Sequence, residues 1–141
     1  MGQPSKSPRA SAIERLAFLR SGWPSRGWSW DRRFECIAST IAIELREEAW
    51  TAATSMLPTV WTDRTLANAP VQVQEVARLT GGVRSDQYLL SADPVDGMLV
   101  YGLWWPWGGE GTNISMRIGL TGYASYDEHC ALRDVFGVSE E

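Results

Sequence analysis

Asp127-Glu128-His129-Cys130 is the densest run of reactive side-chain types in the chain, and it contains the only histidine. Nucleophilic catalysis needs a base within hydrogen-bond reach of the nucleophile and a third group to orient that base. Residues adjacent on a helix point about 100° apart, so His129 and Cys130 cannot serve each other as base and nucleophile. A Cys36–His129 pair across two helices is the remaining geometry, and Glu128 is a further candidate beside it. Cys36, Cys130 and a carboxylate could also approach a metal, but one histidine leaves no zinc spacing motif. The plainer expectation is that Cys130 packs inside while Glu128 and His129 face water, since free cysteine is among the most buried residue types. Glu128, His129, Cys130 and Cys36 are therefore the catalytic candidates of a chain in which no catalysis, metal or cofactor is expected.

Gly108-Gly109-Glu110-Gly111-Thr112 could cradle an anion on successive backbone amides. A Walker loop needs a Gly-Lys-Ser/Thr sequel, and the only lysine is Lys6. A dinucleotide fingerprint needs a third glycine at position 114, which is Ile114. These glycines are expected simply to close a hairpin. Glu44, Glu47 and Glu48 could pair as carboxylates, but helical di-metal sites also use a Glu-x-x-His element that is absent. A solvated helix face accounts for them.

Tryptophan supplies 8 of the 15 aromatic residues. Trp104 and Trp105 in a strand place one indole on each face of a sheet, and Trp107 falls in the following loop. Exposed tryptophan beside arginine is the composition of protein-binding hot spots, which makes Trp104, Trp105, Trp107 and Arg117 the candidate partner-binding residues. The competing expectation is an aromatic core in which these rings pack against Trp23, Trp28 and Trp30.

The elements that must position these residues change period midway. Residues 1–10 are polar with two prolines and read as a frayed tail, and residues 139–141 as a frayed acidic end. Ser11-Ala12-Ile13-Glu14 has capping-box form and opens a helix to about Arg20, with Ile13, Leu16 and Leu19 at helical spacing. Residues 22–31 read as a loop. Phe34, Ile37, Ala38, Ile41, Ala42, Leu45 and Ala49 recur at three- and four-residue steps, which predicts a long helix from near Asp31 to Met56. A further helix is expected from Pro70 to Leu79. Strand signals follow at 87–91, at 98–105 and at 112–120, where Ile114, Met116, Ile118 and Leu120 alternate with polar residues and glycine. Ser125-Tyr126-Asp127-Glu128 is a second capping box, opening a last helix toward Gly137. The expected fold class is α+β: N-terminal helices packed on a small antiparallel sheet with a central Trp-rich hairpin, closed by a C-terminal helix, in one domain over 11–138.

A chain of 141 residues with 44% hydrophobic and 21% charged side chains suits one globular domain and excludes wholesale disorder. No apolar run approaches the roughly 18 residues that span a bilayer, so no membrane partner is expected. Two cysteines are too few for a disulfide framework and no secretion signal is visible, so the expected location is cytoplasmic. The net charge of −4 disfavours a general nucleic-acid binder. It is unevenly spread: residues 1–33 carry seven basic groups against two acids, a net +5, and residues 34–141 carry six against fifteen, a net −9. Nucleic acid could engage only through that arginine-rich arm.

The leading functional expectation is a small non-catalytic protein-binding module, an adaptor, regulator or immunity-type neutralising protein, using an aromatic hairpin surface. The alternative is a small-ligand-binding protein or hydrolytic enzyme with a Trp-lined pocket near His129 and Cys130. The N-terminal arm, with its apolar helix and three tryptophans, is expected to dock on its own domain. Deleting residues 1–31 then lowers the melting temperature and solubility; an unchanged melting curve sinks the docking.

Overall fold

The computed structural model describes residues 7–107 and 111–138. Residues 1–6 of the expected tail, residues 108–110 of the glycine loop and the acidic end at 139–141 lie outside the described residues, while residues 8–10, expected as frayed tail, are helical. Helix α1 (Pro8–Glu14) begins with Ser7, whose hydroxyl accepts from the Ala10 backbone N–H, and proline at its first position suits a helix start. Ser11 is therefore inside the helix and not its cap. Arg15 separates α1 from α2 (Leu16–Gly22). Strands β1 (Ser29–Asp31) and β2 (Cys36–Ala42) follow, then a short 3₁₀ turn and α3 (Arg46–Met56). After β3 (Thr59–Trp61) come α4 (Val71–Leu79), β4 (Tyr88–Ser91), β5 (Leu99–Trp107), β6 (Asn113–Thr121) and α5 (Tyr126–Val135). Helix α5 carries the full capping box between Ser125 and Glu128.

The long helix expected over 31–56 does not form: residues 36–42 are a strand, and only the second half is helical. Ile37 and Ile41 are four residues apart, which fits one helical face and equally fits every second pair of strand positions. Between them Ser39 also points inward, where its Oγ accepts from the Trp23 indole Nε1–H at 3.0 Å. A buried acceptor with a dedicated donor satisfies the strand, and only α3 remains helical. Residues 29–31, expected as loop, form β1.

All pairings are antiparallel and the six strands run in the order β1-β2-β6-β5-β4-β3. The fold is α+β, with the Trp-rich hairpin β5–β6 at its centre. One face carries Ile37, Ile41, Leu90, Val100, Trp104, Ile114, Met116 and Ile118 under residues of α1, α2, α3 and α5. Gly102 lies on this face, and a Cβ there would meet the Leu57 side chain at 2.8 Å, so glycine lets the chain after α3 approach the sheet. The other face is covered by α4 only on one side, where Val73, Val76 and Ala77 pack on Leu89, Leu99, Tyr101 and Leu103. Pro106 falls beyond the end of β4, which stops opposite Trp104, so its missing N–H breaks no ladder.

The N-terminal segment is part of the core: Ile13, Leu16, Leu19 and Trp23 are all buried. The Arg9 guanidinium meets the Glu128 carboxylate at 2.8 Å, and Arg20 donates to the Val135 carbonyl at 3.0 Å. Trp23→Ala leaves a large void and a buried, unpaired Ser39 hydroxyl, at a cost of about 3–5 kcal/mol. The expected result is a fall in melting temperature well beyond that of the exposed control Phe18→Ala; equal melting temperatures contradict the packing.

Candidate functional site

Trp104 and Trp105 part to opposite faces of β5. Trp104 is buried beside Trp23 and Trp50, with ring centroids at 6.5 and 5.0 Å, and belongs to the core. Trp105 is half-buried on the other face. The Arg117 guanidinium stacks on it at 4.9 Å and the Phe34 ring meets it edge-on at 6.1 Å. Arg117 is committed further: its Nε donates to Asp31 at 3.1 Å and its Nη1 to Ser115. Burial pushes the Asp31 carboxyl up, but hydrogen bonds from Arg117 and from the backbone N–H groups of Arg33 and Phe34 outweigh it and leave the group below its ordinary value. Trp107, at the end of β5, is 51% exposed.

These residues border a sheet surface with little on it. Ser29, Thr40 and Ala42 face outward and are exposed, while Ile37, Ser39 and Ile41 on the reverse are sealed. The cluster under α4, the helix on this side, includes no residue of β1, β2 or β6. Small side chains flanked by Trp105 and Trp107 give a shallow surface with an aromatic edge. It offers shape and apolar area, and no nucleophile.

The reactive candidates are dispersed. Glu128 caps α5 by accepting from the Ser125 N–H at 2.8 Å and pairs with Arg9. Burial would raise its carboxyl; the Ser125 backbone and Arg9 outweigh that and hold it below the usual range. Cys130 accepts a hydrogen bond from Arg133 at 3.3 Å. Cys36 is sealed in β2 opposite Gly119, and no hydrogen bond joins it to His129. Burial pushes its thiol up to about 12, with the Asp31 carboxylate adding to the effect. Such a thiol is inert at neutral pH. No group of three His, Cys, Asp or Glu side chains among the described residues could hold a metal, and no helix among them is long and apolar enough to cross a membrane.

His129 does reach a cavity. About 680 Å³ opens between α4, the β1–β2 turn and the end of β6, lined in part by Phe34, Glu35, Tyr101, Thr121, Tyr123 and His129. The His129 Nε2 stands 3.8 Å from the Glu35 carboxylate, and its buried Nδ1 has no hydrogen-bond partner among the described residues. Glu35 and Tyr123, both on the rim, hold left-handed backbone at φ 52° and 63°, a conformation that costs a non-glycine residue about 1 kcal/mol or more. Tyr101 lies across Gly119, where any Cβ would collide with the phenol. Burial raises the Tyr101 hydroxyl well above its ordinary value, with nearby anionic groups adding to it. Sequence reasoning missed Tyr101, Glu35 and Tyr123, because nothing in their local spacing joins them.

Cys36 ionises near 9.0 when exposed and near 12 when folded. The unfolded chain therefore loses this proton first, and stability falls as pH rises from about 9 toward 12. Tyr101 acts in the same direction from its ordinary 10.0. Melting temperatures measured between pH 7 and 11 should decline above pH 9, less steeply in Cys36→Ala; parallel curves refute this assignment. Comparison with protein-family models, with curated proteins and with solved structures found no match to this chain.

Proposed function

We propose that the protein is a cytoplasmic, non-catalytic protein-binding module, of the adaptor, regulator or immunity-type neutralising kind, that binds its partner on the open half of the sheet. The observation that carries this reading is the uncovered β1–β2–β6 surface flanked by half-exposed Trp107. An antiparallel sheet can leave one face to water, and here the exposed Trp107 ring at its edge gives that face an anchor for a partner. Trp107 is the free anchor, a large ring of the kind that dominates interface energetics. Trp105 is the fixed one, held by Arg117 and Phe34 in a single orientation, so that little conformational entropy is lost on binding. Arg117 acts as a positioning residue, since its guanidinium is already engaged by Asp31 and Ser115. Trp104 supports the strand from the core side.

A second reading has one observation in its favour. The cavity beside His129 is lined by the buried Tyr101, for whose phenol no hydrogen-bond partner is found among the described residues. A small-ligand site there would use Tyr101, Glu35 and His129.

One experiment separates the two. Tagged wild-type protein, Trp107→Ala, Thr40→Arg, Tyr101→Phe and the remote control Phe18→Ser are used to capture partners from extracts of the source cells. Partner recovery should fall more than tenfold for Trp107→Ala and Thr40→Arg and stay unchanged for the others. Equal recovery by all five proteins overturns the binding surface. Loss of a bound small molecule in Tyr101→Phe alone transfers the function to the cavity.

A further inference from the structure

The helix-covered face of the sheet has an outer corner, on the opposite side from the open surface. There the flank of α3 and the ends of β4 and β5 border a shallow pocket of about 520 Å³, lined by Arg46, Glu47, Trp50, Thr51, Tyr88 and Trp104. Tyr88 and Trp104 are register partners on neighbouring strands and so share this face. Trp50 descends onto them from α3. Its ring lies 5.0 Å from that of Trp104 at 86° and 5.2 Å from that of Tyr88 at 65°. Trp104 is a buried floor, while Trp50 and Tyr88 are half-buried walls with ring surface left over.

Rings meeting at steep angles present π-density from more than one direction. A flat ligand can use one such face; a rounded cation with an apolar skin can use several. Cation–π attraction is strongest for tryptophan and gains as the cation sheds water. A trimethylammonium group sheds it readily, because its charge is spread under methyl groups. The two charged residues of the pocket complete the match. Arg46 and Glu47 are adjacent on α3, point about 100° apart and do not pair with each other. Among the described residues neither is engaged in an ion pair or side-chain hydrogen bond. A carboxylate and a guanidinium, both unpaired and bordering one aromatic corner, fit a ligand that carries both signs.

We propose that this corner is a binding site for small zwitterionic quaternary-ammonium compounds of the betaine type. The trimethylammonium head sits among Trp50, Tyr88 and Trp104 beside the Glu47 carboxylate, and the anionic end pairs with Arg46. The site is independent of the partner-binding surface, and each can fail without the other.

The probes are glycine betaine, choline, which lacks the anionic end, and 3,3-dimethylbutanoate, which replaces the cationic nitrogen by carbon at nearly the same shape. Affinities are read from the shift of the ligand methyl protons in NMR titrations of the full chain. Glycine betaine should bind best, and 3,3-dimethylbutanoate about five- to thirty-fold more weakly, the range that cation–π attraction supplies. Arg46→Gln should reduce glycine betaine to the affinity of choline and leave choline unchanged. Trp50→Ala should abolish binding. Trp50→Phe, which keeps the packing with a weaker π-face, should retain the fold by circular dichroism and weaken both cations severalfold. Equal binding of 3,3-dimethylbutanoate and glycine betaine overturns the proposal. So does the absence of any titration shift at 20 mM probe, or affinity unaffected by Trp50→Phe and Arg46→Gln.

Discussion

Six aromatic rings in sequential contact hold the covered side of this protein together. Phe136, Trp28, Trp23, Trp104, Trp50 and Tyr88 follow one another with centroids 4.5 to 6.5 Å apart, most of them tilted or edge-on. The rings come from separate segments, the ends of α2 and α5, the loop before β1, and α3, β4 and β5, so each contact fixes one segment against the next. Edge-to-face pairs are directional as well as apolar, which gives the row an angular preference that aliphatic packing lacks. The Trp23 indole then ties the row to the sheet through Ser39. Moving α2 or α3 by a few ångströms would break ring contacts at two points and moving α5 at one, and so the helical layer has one arrangement on the sheet.

The opposite face follows from scarcity of cover. Among the described residues four of the five α-helices lie on one side, and α4 alone serves the other. It covers β4 and β5, and the β1–β2 turn brings Phe34 edge-on against Trp105 of β5. The remainder of β1, β2 and β6 carries alanine, serine and threonine outward, side chains that tolerate water. The adjacent tryptophans of β5 divide accordingly, one into the ring row and one onto a face half open. Position 104 is therefore structural and positions 105 and 107 are available for contact, although all three belong to one short sequence run.

How much of this was legible in the sequence depended on whether the signal was local. The β5–β6 hairpin, α4 and the capped α5 could be read directly, because alternation, a proline start and a Ser-x-x-Glu box each act within a few residues. The split of Trp104 from Trp105 was legible for the same reason. Residues 34–42 were not, since Ile37 and Ile41 suit either period and the deciding residue, Ser39, is satisfied by Trp23 far away in the chain. The cavity beside His129 was invisible: Tyr101, Glu35 and Tyr123 meet only through strand register and two left-handed turns. The aromatic corner was hidden likewise, as Trp50, Tyr88 and Trp104 lie on three elements and share no spacing.

The strand order has a consequence for how the chain is made. β2 takes its hydrogen bonds from β6, with Ile41 opposite Ile114 and Cys36 opposite Gly119. Almost the entire domain is thus synthesised before the strand that joins its N-terminal and C-terminal halves leaves the ribosome. Until then α1, α2 and β2 hold Ile13, Leu19, Trp23 and Ile37 with no sheet to cover them. Contacts of such long sequence separation slow folding and lengthen the life of sticky intermediates. Nascent-chain vulnerability is therefore concentrated in the N-terminal third, and relief comes all at once, when residues 113–121 slot between β2 and β5.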